Sequence, residues 1–172
     1  MLPWFPPSTA RARAACVLLL LFGSAVAAHA RLGETEEQLV QRLGTIEMRQ
    51  MEEVVEQQQN FVVGETLHFV AGGFNIVALM MDGHCERISY MRAGDWSDES
   101  FSTLLAANRA GGNWHEIHNR KPKERRMWRR DDGVLASWVP LTGFTISSTA
   151  YEKARASIRE AAKRTSAKLA SS

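Results

Sequence analysis

The stretch HEIH at residues 115–118 is the nearest approach to a metal-binding motif in this sequence. A zinc-protease helix places two histidines four positions apart, so that both imidazoles share one face with a glutamate base between them. Here the histidines are three positions apart, Asn119 occupies the fourth, and glycines at 111–112 argue against a helix. We therefore predict no metal and no cofactor. His115 and His118 are the residues that a metal site or a small hydrolase would use.

A cysteine is the second group that could do chemistry. The chain has two cysteines, and Cys16 lies in a segment that we expect to be removed on export. Cys85 is then left without a partner for an intramolecular disulfide. It falls within an apolar strand pattern, where an unpaired thiol usually packs as a small apolar residue. An intermolecular disulfide and a nucleophilic role are the alternatives.

A basic run with a tryptophan inside it, KPKERRMWRR at 121–130, contrasts with the acidic stretch 34–60. One interpretation is that such faces meet within the fold or between two copies, with the remainder solvated. The other is a patch that binds an acidic polymer such as polysaccharide, lipid headgroups or nucleic acid, with the indole stacking. The candidate binding residues are Lys121, Lys123, Arg125, Arg126, Trp128, Arg129 and Arg130.

The composition is that of a globular domain. The chain has 172 residues, 45% hydrophobic and 23% charged, which excludes a disordered tail, a fibre and a disulfide scaffold. Without Arg11 and Arg13, 19 Lys and Arg face 19 Asp and Glu, so bulk charge indicates neither nucleic acid nor a membrane as the partner. Motifs of nucleophilic, phosphate-binding and dinucleotide-binding enzymes are absent from the sequence, and we predict no catalytic residue.

The first thirty residues are typical of a secretory signal peptide. Two arginines precede an apolar run at 14–22, and the triplet AHA at 28–30 is a small-x-small cleavage site. The apolar run is about half of the roughly 20 residues that a membrane-spanning helix needs. We predict cleavage near Ala30, a secreted or periplasmic protein, and no transmembrane segment after cleavage.

Helix patterns occur in four places along the remaining chain. Residues 35–44 start with a capping box, T-x-x-Q, and residues 45–60 carry Met and Val at helical spacing, which predicts a second, weaker helix. Ser97 caps a further helix whose apolar stripe starts at Phe101. Residues 151–172 predict a basic C-terminal helix or tail.

Strand patterns fall into two groups of three, each broken at glycine-containing turns. Such turns between short apolar or alternating runs predict antiparallel meanders. The predicted strands are 67–70, 74–81 and 85–91, then 127–130, 134–139 and 144–149.

The two groups repeat each other. Gly73 and Gly83 recur later in the chain as Gly133 and Gly143, both at the same offset, and each group follows a helix. This spacing predicts an α+β fold with antiparallel sheet structure, built from two helix-plus-three-strand meander units with the helices on one face and a C-terminal helix.

The predicted domain organisation follows from these patterns. A cleaved signal peptide covers 1–30, and an α+β domain covers 31–150. Its two units span about 31–92 and 95–150, and the basic C-terminal segment spans 151–172.

The motif Gly33-x-Thr35-x3-Leu39-x3-Leu43-Gly44, followed by strands broken at glycine turns, resembles the opening of SmpA/OmlA-type small envelope proteins. It is also similar to β-lactamase-inhibitor-protein-like domains, which are built from helices packed on antiparallel meanders. The whole sequence looks like small exported bacterial proteins of unassigned function. The resemblance implies an exported, non-enzymatic, protein-binding α+β domain. Membrane anchoring is not implied, because the lipid-attachment cysteine and the proline-containing turn after the first helix are absent.

Three tryptophans add to the search for a site. Trp138 lies in an apolar strand pattern and is predicted to be in the core. Trp96 and Trp114 flank the second capped helix and are predicted to fasten it to the sheet. Exposed together, they would instead mark a binding surface.

The predicted function is a non-catalytic binding or interaction module whose ligand is unknown. The first alternative is binding of a polyanion or the envelope surface through 121–130. The second is a small hydrolase or metal-binding enzyme that uses His115 and His118. The partner is unknown: another envelope protein, an acidic polymer and a second copy in a homodimer remain open.

Overall fold

The fold is known from a computed structural model, which describes residues 29–117 and 124–170. The predicted signal peptide up to Ala28 lies outside these ranges, as do His118, Lys121 and Lys123. The described elements are α1 (Glu36–Leu43), β1 (Met48–Glu56), β2 (Gln59–Ala71), β3 (Phe74–Met81), β4 (His84–Met91), α2 (Asp98–Ala107), β5 (Trp114–Ile117), β6 (Arg126–Arg130), β7 (Leu135–Val139), β8 (Gly143–Ser147) and α3 (Thr149–Ala170).

All eight strands form one antiparallel sheet in the order β1-β2-β3-β4-β8-β7-β6-β5. The predicted α+β class, with an antiparallel sheet and a C-terminal helix, is confirmed. The two halves of the chain meet where β4 pairs with β8, and there Arg87 lies opposite Ser147, which follows it in the sequence at the offset that separates the glycine turns. The backbone N–H of Ser148 donates to the carbonyl of Glu86 on one side of this pair, and Ile88 faces Ile146 on the other.

The two capped helices begin where the sequence predicts. In α1 the backbone N–H of Thr35 donates to Oε1 of Gln38 over 2.9 Å, which is the reciprocal half of a capping box. In α2 the hydroxyl of Ser97 accepts from the backbone N–H of Ser100 over 3.2 Å. Phe101 on α2 is buried, as its apolar stripe predicts.

The predicted helix over 45–60 is wrong, because this stretch forms β1 and the start of β2. The helical spacing of its apolar residues is a coincidence: Val54 is buried, whereas Met51 lies on the opposite face and is exposed. The hairpin turns at Gln57 and Gln58, with positive φ angles of 49° and 65°. Glycine or asparagine usually marks such turns, and here neither does.

Each capped helix is followed by four strands, one more than predicted. In the first half the additional strand is β1, and in the second half it is β5. β5 pairs with β6, and His115 lies opposite Arg129. Residues 115–117 of the HEIH stretch are therefore on an edge strand, and not on a helix of the kind that a zinc-protease motif needs.

Helices cover both faces of the sheet, which corrects the prediction that they share one face. α1 and α2 bury Leu39 and Phe101 in the same core cluster as Ile88. Neighbouring residues of a strand point to opposite faces, so Arg87 points to the face opposite Ile88. On that face, the ring centroid of Tyr151 in α3 lies 5.1 Å from the guanidinium carbon of Arg87. The prediction failed because α3 crosses to the far side of the sheet at the end of β8.

A connected set of rings fills the core between α2 and the sheet, with centroids 5.3–6.5 Å apart. Phe101 and Phe144 are its centre, because each contacts four of the other six rings. We call this set the aromatic cluster: Phe74, Tyr90, Trp96, Phe101, Trp128, Trp138 and Phe144.

Candidate functional site

A cleft opens at the edge of the aromatic cluster. It lies between the β4–α2 connection (residues 91–96) and the β7–β8 turn (residues 140–143), and its volume is about 430 Å³. This is within the range of small-molecule sites. Trp96 and Trp138 line it from the two sides, together with Arg92.

Arg92 is held in place by contacts on several sides. Its Nη2 donates to the hydroxyl of Ser100 over 2.9 Å and to the backbone carbonyl of Asp95. Its guanidinium carbon lies 4.9 Å from the ring centroid of Trp96 and 5.3 Å from that of Phe74. These contacts keep a positive charge against an aromatic wall, a stable arrangement for a planar cation.

The opposite lip of the cleft is a tight and apolar turn. Gly143 has a φ of +88°, and a Cβ atom there would collide with the backbone carbonyl of Tyr90, so only glycine fits. Leu141 also has a positive φ, 72°, which is costly for a residue with a branched side chain. Its side chain is fully exposed. A strained, exposed leucine beside a cleft is apolar surface that a ligand could cover.

Two buried donors at this site lack acceptors among the described residues. They are the indole Nε1 of Trp138 and the Nε of Arg92. Trp114, by contrast, donates its indole N–H to the carbonyl of Leu105 over 2.8 Å. A buried donor without an acceptor costs about 1–3 kcal/mol, and both of these donors belong to residues that line the cleft.

A second depression, at the other end of the molecule, has no buried polar side-chain atom without a partner among its described lining residues. It is lined by Glu34, Gln38, Gln41 and Arg42, and its charged groups already satisfy one another. Nη2 of Arg42 lies 2.6 Å from Oε1 of Glu34. The other oxygen of that carboxylate accepts the backbone N–H of Arg31 over 2.9 Å. The cleft is the better candidate for a ligand.

The described residues that were candidates for catalysis, His115 and Cys85, lie in different surroundings. Within the described ranges, no group of three His, Cys, Asp or Glu side chains could hold a metal ion. His115 is exposed and its Nε2 lies 2.8 Å from Oδ1 of Asp131. Cys85 is fully buried, and burial raises the pKa of its thiol. A protonated, inaccessible thiol is a poor nucleophile.

Part of the basic run is buried or ion-paired within the folded domain. Nε of Arg126 lies 2.9 Å from Oε1 of Glu116, and its Nη1 also donates to Asp98. The same guanidinium lies 5.0 Å from the ring centroids of both Phe101 and Trp128. Trp128 is itself buried, so it does not stack on a ligand at the surface.

The remaining arginines of the run divide between core and solvent. Arg130 is only 7% exposed, its Nη2 lies 2.7 Å from Oδ2 of Asp132, and its Nη1 donates to the carbonyl of Asn108. Arg125 and Arg129 are exposed. The described part of the run thus offers fewer outward charges than its sequence implies.

Sequence reasoning missed most of the cleft. The sequence places Trp96 beside α2 and Trp138 in the core, but no sequence pattern predicts that the two residues lie close together. Arg92 and Leu141 belong to no recognisable motif. A tryptophan two residues before a Pro-x-x-Gly turn is the pattern that could have indicated one lip of the cleft.

Comparison of the chain with protein-family models, with curated proteins and with solved structures gives no match. The resemblance to SmpA/OmlA-type and β-lactamase-inhibitor-protein-like domains stays a prediction. In residues 29–117 and 124–170, none of the helices is both long enough and apolar enough to cross a bilayer.

Proposed function

We propose that this protein is an exported, non-catalytic binding module and that the cleft is its ligand site. The observation that carries the proposal is a 430 Å³ cleft lined by Trp96, Trp138 and Arg92, with the guanidinium of Arg92 held against the ring of Trp96. The ligand class is a molecule that combines an apolar or aromatic body with a carboxylate.

The residues of the cleft support this class of ligand. Two indoles and the exposed side chain of Leu141 offer apolar contact. The guanidinium of Arg92 supplies positive charge, and guanidinium groups bind carboxylates by charge-assisted hydrogen bonds. The carboxylate of Asp95 lies at the rim and is exposed, which favours a single ligand carboxylate over a highly charged anion.

Binding is favoured over catalysis because the cleft lacks a reactive pair. The groups that line it include one carboxylate, that of Asp95, and neither histidine nor cysteine. General acid–base catalysis requires a titratable group with a partner or a shifted pKa at the reacting atoms. The lining instead provides shape, apolar surface and hydrogen-bond donors, which suit recognition.

A direct test uses N-acetyl-L-phenylalanine as the probe, because it carries an aromatic ring and a carboxylate. The indole N–H signals of the protein labelled with ¹⁵N are followed by NMR while the probe is added. We expect saturable shifts at Trp96 and Trp138. Trp114 and Trp128, which lie outside the cleft, should keep their positions.

Variants make this test specific. Arg92→Gln and Trp138→Phe should each weaken binding of the probe at least tenfold. Arg49→Gln is the matched control, because Arg49 is an exposed, ion-paired arginine of the first half and should leave binding unchanged. Equal shifts at all four indoles, or binding that survives both cleft variants, would contradict the proposal.

A second candidate is binding of a polyanion through the exposed Arg125 and Arg129 together with Lys121 and Lys123. It predicts retention on heparin that weakens as salt rises. Arg129→Gln should then elute earlier, whereas Arg92→Gln should not. Passage through the column at low salt would count against this candidate.

We also propose that the two halves are copies of one helix-plus-meander unit. The shared offset supports this idea, since it relates Gly73 to Gly133, Gly83 to Gly143, and Arg87 to its own strand partner. Under this proposal the cleft is a feature gained by one copy, and its counterpart in the other copy is closed.

A further inference from the structure

Residues 29–34, which we call the strap, precede α1 and are part of the core. The ring of His29 lies edge-on to Phe74 and Tyr90, with centroids 6.2 Å and 6.3 Å away. Ala30 is completely buried and belongs to the main core cluster. The residue predicted to end the signal peptide is therefore packed inside the folded domain.

The carbonyl of Ala30 is the acceptor for two buried donors. The hydroxyl of Tyr90 donates to it over 2.7 Å, and Nδ2 of Asn108 donates to it over 3.2 Å. Asn108 is 2% exposed, and its Oδ1 accepts from the backbone N–H of Leu32 over 3.1 Å. One buried asparagine thus binds the strap at two points.

The strap also pairs with β4 through its backbone. The N–H of Gly33 donates to the carbonyl of Cys85 over 2.8 Å, and the N–H of Cys85 donates to the carbonyl of Glu34 over 2.9 Å. Removal of residues up to Ala30 would take the acceptor of the buried Tyr90 hydroxyl and one of the two acceptors of the Asn108 amide, and folded proteins avoid buried donors without acceptors.

We propose that the signal peptidase cuts before His29, at the Ala27–Ala28 bond, and that the whole strap stays in the mature protein. The triplet Ala25-Val26-Ala27 meets the small-x-small requirement as well as residues 28–30 do. One water molecule is consumed when this peptide bond is hydrolysed: its oxygen completes the Ala27 carboxylate, and Ala28 keeps the nitrogen as the new α-amino group. The proposal rests on the predicted export of the chain and is independent of what the cleft binds.

The test is the N-terminal sequence and intact mass of the protein, expressed as the full chain in a bacterial host and recovered after export. We expect Ala28 as the first residue. A first residue of His29 would retain the strap but would overturn the assignment of the Ala27–Ala28 bond. A chain that begins at Arg31 or later, or one that is not cut, would overturn it.

A matched pair of variants identifies the cleaved bond independently of folding. Ala27→Gln puts a bulky residue directly before the proposed cut and should lower the yield of mature protein at least tenfold, with precursor accumulating. Ala28→Gln puts the same residue at the third position before the alternative cut, which follows Ala30, and processing should continue at the wild-type rate. The reverse pattern would assign the cut to Ala30.

Discussion

The two halves of the molecule differ most at the segment that leads into each capped helix. In the first half the strap pairs with β4 at Gly33 and Cys85, which joins this segment to the sheet, and we call this the closed end. In the second half, residues 92–95 make no backbone hydrogen bond to the β7–β8 turn in the described structure. The space between them is the cleft.

The side chains follow the same division. Leu39 of the first helix corresponds to Phe101 of the second, at nearly the offset that relates the glycine turns. The leucine is fully buried in the main core cluster. The phenylalanine collects three tryptophan rings around itself, and two of these reach the cleft. The two halves therefore have the same order of elements but differ in what surrounds their helix. The helix of the second half packs on tryptophans that line the cleft, whereas the helix of the first half buries a leucine at the corresponding position.

The largest expected effect is at the centre of the aromatic cluster. Phe101→Ala should lower the free energy of unfolding by about 4 kcal/mol, because it removes a large buried ring and leaves a cavity. Leu39→Ala, its counterpart in the first half, should cost about 3 kcal/mol. Urea denaturation of both variants measures the difference. A smaller loss for Phe101→Ala than for Leu39→Ala would contradict the central place of that ring.

The next effect tests how the closed end is held. Asn108→Ala removes hydrogen bonds to Leu32, Ala30 and Leu104 and leaves buried backbone groups unpaired. We expect a loss of about 3 kcal/mol in the same assay. Asn75→Ala is the control: this asparagine is exposed on β3, and its loss should change stability by less than about 0.5 kcal/mol. Similar losses for the two variants would mean that the strap contributes little.

Much of the fold follows from local signals, and the exceptions have physical causes. The caps at Thr35 and Ser97 involve residues within one turn of helix. Because such a short sequence pattern is enough to indicate a cap, both helices were predicted. The hairpin at 57–58 was missed because two glutamines adopt a conformation that usually selects glycine or asparagine. The strands on either side of this hairpin are stabilised by pairing across the sheet, and a local sequence pattern cannot predict such pairing.

The site was harder to predict than the fold. The basic run suggested a surface patch, but alternation along β6 turns Trp128 and Arg130 into the core, where they are buried. The cleft joins Arg92 to Trp138, which are far apart in sequence and meet only because β4 and β8 are neighbours. Such a site depends on tertiary pairing and leaves no contiguous motif.

A smaller effect on stability, of opposite sign in the two variants, should distinguish a tryptophan whose indole N–H has no acceptor from one whose indole N–H is hydrogen-bonded. Trp138→Phe removes a buried N–H without an acceptor, so stability should be unchanged or rise by up to about 1 kcal/mol. Trp114→Phe breaks the hydrogen bond to Leu105 and should cost about 1 kcal/mol. Thermal unfolding of the two variants provides the comparison. A clear loss for Trp138→Phe would show that its N–H is satisfied in the folded protein.

Acid should weaken a contact found in the second half. The hydrogen bonds from Arg130 lower the pKa of Asp132 below its ordinary value of 3.8. A lowered folded-state pKa gives stability that is present above the ordinary pKa and is lost as the pH falls through the folded one. Unfolding free energies measured between pH 5 and pH 2 should decline below about pH 4, and less steeply in Asp132→Asn. Identical slopes would rule out this contribution.

The smallest expected effect is at Cys85. Its thiol is buried and its pKa is raised by that burial, so iodoacetamide at pH 8 should leave the native protein unmodified over hours. In urea the same residue should react within minutes. Mass spectrometry detects the adduct, and rapid labelling of the native protein would reopen a nucleophilic or intermolecular role for this cysteine.

The contrast between a closed and an open end is tested most directly by amide hydrogen exchange resolved by residue. We predict that the amides of Gly33 and Cys85 are protected as strongly as the central strands, because both donate to backbone carbonyls in the core. The amides of residues 93–95 should exchange orders of magnitude faster and become protected when the cleft is occupied. Equal protection at the two ends in the free protein would contradict the account.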